Sequence, residues 1–428
     1  MEYAGLPEAV GSASGEISCL NAFCPLLEER SLIKMHSSNL LLFDKLRRSN
    51  MASKPQSMPF FEFLNTSSLK AASYMRKMLS QWFLGYPAIA KLDLRNRFRS
   101  QDDLQHKAAY FELFLYQLLI RMGFTASVHP ELLNTKKHPD FLVRSSFGDA
   151  FYLEAKFVSG ESSEEVGARK LIYQLRDAIR EIDCPMYDVT CDWDGLPKGN
   201  IEVRKLVSDI CEWIQSISFN MVTYWKKHNH SMLPRKVFDA NGAKLIITVY
   251  PKICRGPETN KGMSVIVESE PSRHWTFIPH IRSSIKKKCS KFGRLDLPLV
   301  IALWPYDMFI NESIFLHSLF GDMVSRWNAE TRQAEFIDYA PPGAWITKYK
   351  YVCTGNSAVI GFNLVDAWDF KQIKAWVFHH PKPKLPLNYN SELSKLTSYV
   401  PVDGRFEKKL GASPREILGL PKCVTLNS

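Results

Sequence analysis

Apolar residues recur at helical spacing from Asp103 to Met122: Ala108, Phe111, Leu115, Leu118, Leu119 and Met122 form one stripe, and Gly123 supplies the stop. Ser100-Gln101-Asp102-Asp103 precedes it as a helix start, with Ser100 as N-cap and acidic residues in the first turn. Upstream, Met75, Met78, Leu79, Trp82 and Phe83 follow similar spacing until Pro87, which predicts one or two packing helices between Phe60 and Leu92. After Gly123 the pattern shortens. Residues 125–129 read as a strand, and residues 140–144 and 150–157 as the arms of a hairpin around Ser145-Ser146-Phe147-Gly148-Asp149.

Residues 169–182 are amphipathic, 203–217 form a further helix, and Lys244-Leu245-Ile246-Ile247-Thr248-Val249-Tyr250 is a buried strand candidate. The order is thus helix, three strands, helix, strand. Later come a helix over 278–291, a strand over 299–304, a helix near 318–327 and strands over 345–352, 357–364 and 373–378. Pro381-Lys382-Pro383-Lys384-Leu385-Pro386 then opens a surface tail. Residues 1–55 mix Gly, Ser and short apolar patches without sustained period and read as a loosely attached arm. The expected organisation is this arm, a helical region over 56–99, a central unit over 100–305 and an α+β appendage with tail over 306–428. No internal repeat is visible.

At 428 residues, with 45% apolar and 23% charged residues, the chain can bury a core and has room for two or three domains. Lys and Arg number 55 against 44 Asp and Glu, a net +11 and a pI near 9.1, which favours a nucleic-acid partner weakly because the charge is spread. The nine cysteines are odd in number and lack CxxC pairs, so a reducing cytoplasm fits better than a disulfide scaffold or zinc ribbon. No apolar run approaches the roughly 20 residues of a membrane helix, so no membrane partner is expected. Glu2 and Glu8 without a basic flank argue against a secretory signal.

Four polar residues stand inside otherwise apolar elements: Glu112 in the helix, Asp140 at the start of one hairpin arm, and Glu154 and Lys156 on the other. Buried charge is kept mainly where it is paired or binds a metal. Side chains alternate along a strand, so Glu154 and Lys156 share one face while Leu153, Ala155 and Phe157 point into the core. If the hairpin is symmetric about Phe147, Asp140 lies directly opposite Glu154, with side chains about 5 Å apart. Two carboxylates that close call for a cation between them, and a hard divalent ion such as Mg²⁺ takes one or two carboxylates plus waters and substrate phosphate. Lys156 would stand beside the metal-bound water, and Glu112 leans toward the same site with Ala108, Leu115 and Leu119. The bland alternative is a solvent-facing Glu154–Lys156 ion pair on a half-exposed strand.

Pro139-Asp140 followed by Glu154-Ala155-Lys156 resembles the PD-(D/E)xK motif of the restriction-endonuclease-like nuclease superfamily, and Glu112 matches the acidic residue often found on the first core helix. The resemblance covers about half the chain, residues 100–305. It implies an α/β protein with a restriction-endonuclease-like core, a mixed central sheet flanked by helices, with a helical N-terminal region and a strand-rich C-terminal appendage. It further implies an endonuclease in which Asp140, Glu154 and the Ala155 carbonyl hold Mg²⁺, with Mn²⁺ as a substitute, while Lys156 activates water. DNA ranks above RNA as substrate. The superfamily's habits add a homodimer, or a partner protein in a bacterial defence or repair system. The alternative is a non-catalytic nucleic-acid-binding module that keeps the fold. Gln174 sits where some members carry a glutamine, but no tyrosine follows four residues later, so the helicase-associated branch is not assigned.

Weaker signals remain. Lys286, Lys287 and Lys288, with Lys291 and Arg294, end a helix where they meet either its dipole or a nucleic-acid backbone. Arg95, Arg97 and Arg99 lead into the Glu112 helix and are candidates for substrate phosphate. His228-Asn229-His230 reads as a solvated loop, and His379-His380 as structural for want of ligands at metal spacing. His138 could touch phosphate or simply open the strand, and Trp225 with Lys226 and Lys227 could stack a base, although a packed Trp is commoner. No phosphate loop, dinucleotide fingerprint or serine elbow appears.

Overall fold

The apolar stripe and the hairpin predicted from the sequence meet in one layered unit. The computed structural model describes residues 40–133, 135–252, 264–266, 277–307, 309–363, 365, 372–403 and 405–421. Four helices come first, α1 (Phe60–Thr66), α2 (Lys70–Gly85), α3 (Lys91–Phe98) and α4 (Asp103–Met122). The N-cap of α4 is Asp102, whose carboxylate accepts from the Leu104 amide; Ser100, expected there, instead accepts from the Asp102 amide. Gly123, at φ 102°, ends α4 as expected.

Strands β1 (Thr125–Val128), β2 (Phe141–Arg144) and β3 (Ala150–Val158) form an antiparallel meander. From β3 the chain runs through α5 (Ser163–Arg180) into a second unit: β4 (Tyr187–Asp194), α6 (Val203–Gln215), α7 (Phe219–His228), β5 (Arg235–Asp239), β6 (Lys244–Pro251) and β7 (Val265–Ile266). These strands make their own sheet, ordered β5-β6-β4-β7. Leu175, Ile179, Ile210 and Ile214 pack there against Val189, Ile247 and Val249. The chain returns through α8 (Phe277–Cys289) to β8 (Leu299–Pro305), which pairs parallel to β3. The strand that completes the first unit is therefore β8, and the apolar run at 244–250 belongs to the inserted sheet. Both runs are apolar enough for a sheet interior, so composition could not choose between them.

Beyond β8 come α9 (Glu312–Phe320), the ribbon β9 (Asp322–Asn328) and β10 (Gln333–Ala340), β11 (Ala358–Phe362), β12 (Ala375–His379), β13 (Thr397–Val402), β14 (Arg405–Lys409) and α10 (Pro414–Leu418). The large sheet is ordered β1-β2-β3-β8-β11-β12-β13-β14, so the expected C-terminal appendage supplies half of its strands. Residues 381–421, expected as a tail, contain β13, β14 and α10. The helix expected near 318–327 stops at Gly321, whose φ of 108° suits glycine and whose added Cβ would lie 2.0 Å from the Ala340 carbonyl oxygen. Residues 345–352 form only an isolated bridge between Ile346 and Tyr351.

Every residue of β8 is buried, because helices cover both faces of the sheet there. On one face α2 and α4 pack Phe83, Phe111 and Phe114 against Leu153, Phe157, Val300, Ala302 and Phe362. On the other, α8 and α9 pack Ile281, Ile285 and Phe315 against Tyr152, Ile301, Leu303 and Phe378. Of the expected N-terminal arm, 1–39 lie outside the described residues. Residues 40–55 are anchored rather than loose, with Leu42 and Phe43 in the first core and Asp44 paired to Arg99. Their anchors are single apolar residues without a period, which pattern reading passes over.

Gly361 in β11 lets the Phe315 ring lie against the strand, since a Cβ there would fall 2.6 Å from ring carbons. Gly361→Ala should therefore destabilise the protein by about 1–3 kcal/mol, read as a lower urea midpoint at unchanged slope. A stability within error of wild type would mean that α9 can move off the sheet freely.

Candidate active site

The two hairpin arms pair with Phe141 opposite Leu153 and Arg144 opposite Ala150, the register expected from symmetry about Phe147. The same register carried one residue further sets Asp140 against Glu154. Asp140 lies just outside β2, where its Oδ2 accepts a 2.6 Å hydrogen bond from the Ala155 amide. Burial pushes its carboxyl up to about 7, with the charges of Glu154 and Glu112 acting in the same direction against the Ala155 amide and Lys288.

Alternation puts Leu153, Ala155 and Phe157 against the α4 face, as expected, but on the opposite face Lys156 alone of the residues 152, 154, 156 and 158 is open to solvent. Tyr152 and Val158 are buried there under α8, and Glu154 between them is 1% exposed. A solvent-facing ion pair with Lys156 is thereby excluded. Its charge is met instead by Lys288, in a short contact to Oε1, and by Lys291, 2.6 Å from the same oxygen. The other oxygen, Oε2, is buried and has no hydrogen-bond partner. Lys288 reaches this place because it continues the stripe Ile278, Ile281, Ile285 by which α8 packs on the sheet. A lysine in register with an apolar stripe was the signal available in the sequence. The two lysines beside it, Lys286 and Lys287, are exposed.

Glu112 is 5% exposed on α4, and its oxygens are engaged by the Tyr86 hydroxyl at 2.5 Å and the Arg97 guanidinium at 2.8 Å. Burial and the negative charge of Glu112 push the Tyr86 phenol far above its usual range. Arg97 also holds Asp93. Arg99 is bonded to both oxygens of Asp44 and lies over the Phe61 ring, while Arg95 donates to the Leu41 carbonyl. The three arginines considered for substrate phosphate thus tie the 40–44 segment and the Glu112 carboxylate into the fold. Tyr86, which no motif marked, belongs to this group.

Lys156 is exposed beside a cleft of about 690 Å³ whose lining includes Gln105, Lys156, His280, Ser284, Lys287 and Lys288. Burial of its stem, with Lys288 and Lys287 as positive neighbours, lowers its pKa despite the opposing charge of Glu154. Lys286 faces another opening, with Cys289, Arg294 and Cys353.

The lesser candidates make local contacts. His379 and His380 are buried, with His380 Nε2 2.9 Å from the Val352 carbonyl oxygen. His138 Nδ1 lies 3.0 Å from the Pro130 carbonyl oxygen. His228 ends α7 and Asn229 caps the short helical turn that begins at His230. Trp225 packs on the inserted unit's core.

Among the described residues no three or more His, Cys, Asp or Glu side chains are grouped to hold a metal ion. Two carboxylates opposed in register, one with an orphaned buried oxygen, are nevertheless the hard oxygen donors a divalent cation takes. Glu112, bound by Tyr86 and Arg97, contributes its charge rather than a free ligand atom. No described helix is long and apolar enough to cross a membrane. Compared with protein-family models, curated proteins and solved structures, the chain finds no match.

Folded Asp140 binds its proton more tightly than the unfolded chain does, so its ionisation opposes folding increasingly from 3.8 to about 7. Asp140→Asn should accordingly raise Tm by about 2 °C or more at pH 8 and leave it near wild type at pH 4. An equal difference at both pH values would show that Asp140 ionises normally.

Proposed function

We propose that this chain is a metal-dependent nuclease of the PD-(D/E)xK type, acting on DNA ahead of RNA. The observation that carries the reading is Glu154: a carboxylate 1% exposed on an interior strand, in register with Asp140, two residues before a lysine that opens on a cleft. The order of helix α4, antiparallel β1-β2-β3, crossover and parallel β8 is similar to the superfamily's core and supports it. The inserted sheet lengthens the crossover without altering that order.

In this reading Asp140, Glu154 and the Ala155 carbonyl hold Mg²⁺, which when bound polarises the scissile phosphoryl group and lowers the pKa of water. Lys156, whose pKa is lowered by burial of its stem and by Lys288 and Lys287, orients the attacking water or accepts its proton at Nζ. Lys287 and His280 line the same cleft, where substrate phosphate would meet them. Lys288 and Lys291 keep the Glu154 charge neutralised before any ligand arrives.

One observation favours a second reading, a nucleic-acid-binding module without turnover. Both lysines sit on Glu154 Oε1, and a metal would have to share or displace them. Incubating the protein with plasmid, single-stranded DNA and RNA in Mg²⁺, Mn²⁺ or EDTA separates the two. Cleavage should require metal and fall about 100-fold or more in Asp140→Ala, Glu154→Gln and Lys156→Ala, with DNA retention largely intact. Absence of cleavage with salt-sensitive retention would establish the binding module; absence of both would sink both.

A further inference from the structure

A cavity of about 450 Å³, next to the Lys156 cleft and sharing Leu104 with it, lies where the first turn of α4 and residues 166–174 of α5 meet residues 54–60 and Tyr306, the residue after β8. It stands beyond the carboxyl ends of the parallel strands β3 and β8, the edge at which open α/β sheets commonly take ligands. Its lining includes four cations, Lys54, Lys107, Arg169 and Lys170, against Asp102 and Asp103.

The acids are already engaged. Asp102 caps α4, and Asp103 Oδ1 accepts from the Phe60 amide at 2.8 Å. Arg169 pairs with Glu161 at 2.7 Å, and Lys54 donates to the Pro55 and Gln56 carbonyls. Among the described residues Lys107 and Lys170 have no carboxylate within ion-pair distance. Lys107 Nζ instead lies 3.4 Å from the centre of the Tyr306 ring. Burial, with Arg169 and Lys54 adding to it against Asp103 and Glu161, pulls its ammonium down to about 8.

A second observation points to what the anion is attached to. Gln56, in the same lining, has a buried side-chain oxygen that no hydrogen bond satisfies. Tyr173 and Phe60 add aromatic surface, and the volume lies in the range of small-ligand sites. Inorganic phosphate would satisfy the cations and leave the aromatic surface and Gln56 unused. The geometry points to a site for a nucleoside 5′-phosphate, free or at the end of a strand, with its phosphate on Lys107, Lys170 and Arg169 and its base beside Tyr173.

This site does not depend on the nuclease reading, and titration in EDTA keeps the two apart: cleavage can fail while AMP binds, and the reverse. The full-length protein is titrated calorimetrically with AMP, adenosine and inorganic phosphate at low salt. AMP should bind at least tenfold more tightly than either fragment. Lys170→Glu, at an exposed helix position, and Lys107→Met should each weaken AMP at least tenfold. A 5′-phosphorylated oligonucleotide tenfold tighter than its 5′-hydroxyl counterpart would assign the site to a strand end, and equal affinities to the free nucleotide. No AMP binding at about 1 mM, phosphate binding as tightly as AMP, or unchanged affinity in Lys170→Glu would each overturn the site.

Discussion

A carboxylate buried between two layers must be neutralised within the protein, and Glu154 is that carboxylate here. It occupies the middle of β3 with helices on both sides, and the two cations that meet it come from α8 and the residues after it, 134 and 137 positions along the chain. Breaking a buried pair of this kind typically destabilises by about 3–5 kcal/mol because the remaining charge has nowhere to go. The pairing therefore adds to the Ile278, Ile281 and Ile285 stripe in holding α8 on the sheet, where α8 walls the cleft that receives Lys156.

That constraint explains how the chain accommodates an inserted sheet. The crossover between β3 and β8 needs only to leave the sheet and return α8 to Glu154; what lies between can fold around its own apolar cluster. The rest of the large sheet then grows from the other edge of β8, with β11 parallel to it and β12 to β14 completing the layer. Central strands covered on both faces have no polar side to advertise, which is why β8, β11 and β12 are buried throughout.

How far this could be read in advance follows from the range of the interactions. The α4 helix and the hairpin register are local: a stripe, a stop glycine and a five-residue loop specify them, and the structure reproduces both. The proximity of Asp140 to Glu154 follows from that register. Where pairing partners are distant, the pattern was silent. The choice between 244–251 and 299–305 as neighbour to β3, and the joining of β11 to β14 into the same sheet, rest on which apolar run meets which. The arginines before α4 were misleading for a related reason. Their density suggests a phosphate surface, whereas Asp44, Asp93 and Glu112 engage Arg97 and Arg99, and of these only Glu112 stands out from an apolar element in the sequence.

The same contrast separates the carboxylate site from the cavity near Tyr306. At Glu154 an excess of buried negative charge is balanced by two lysines that converge on one oxygen, leaving the other without a partner. Near Tyr306 the excess is positive: four cations meet Asp102 and Asp103, and among the described residues neither Lys107 nor Lys170 forms an ion pair. Glu161 joins the two, since it lines the Lys156 cleft and holds Arg169 at the margin of the cavity. The first site closes its charge within the protein, whereas the second leaves cations facing a cavity, and that difference is why a carboxylate governs the packing at one and an anion from outside would govern the other.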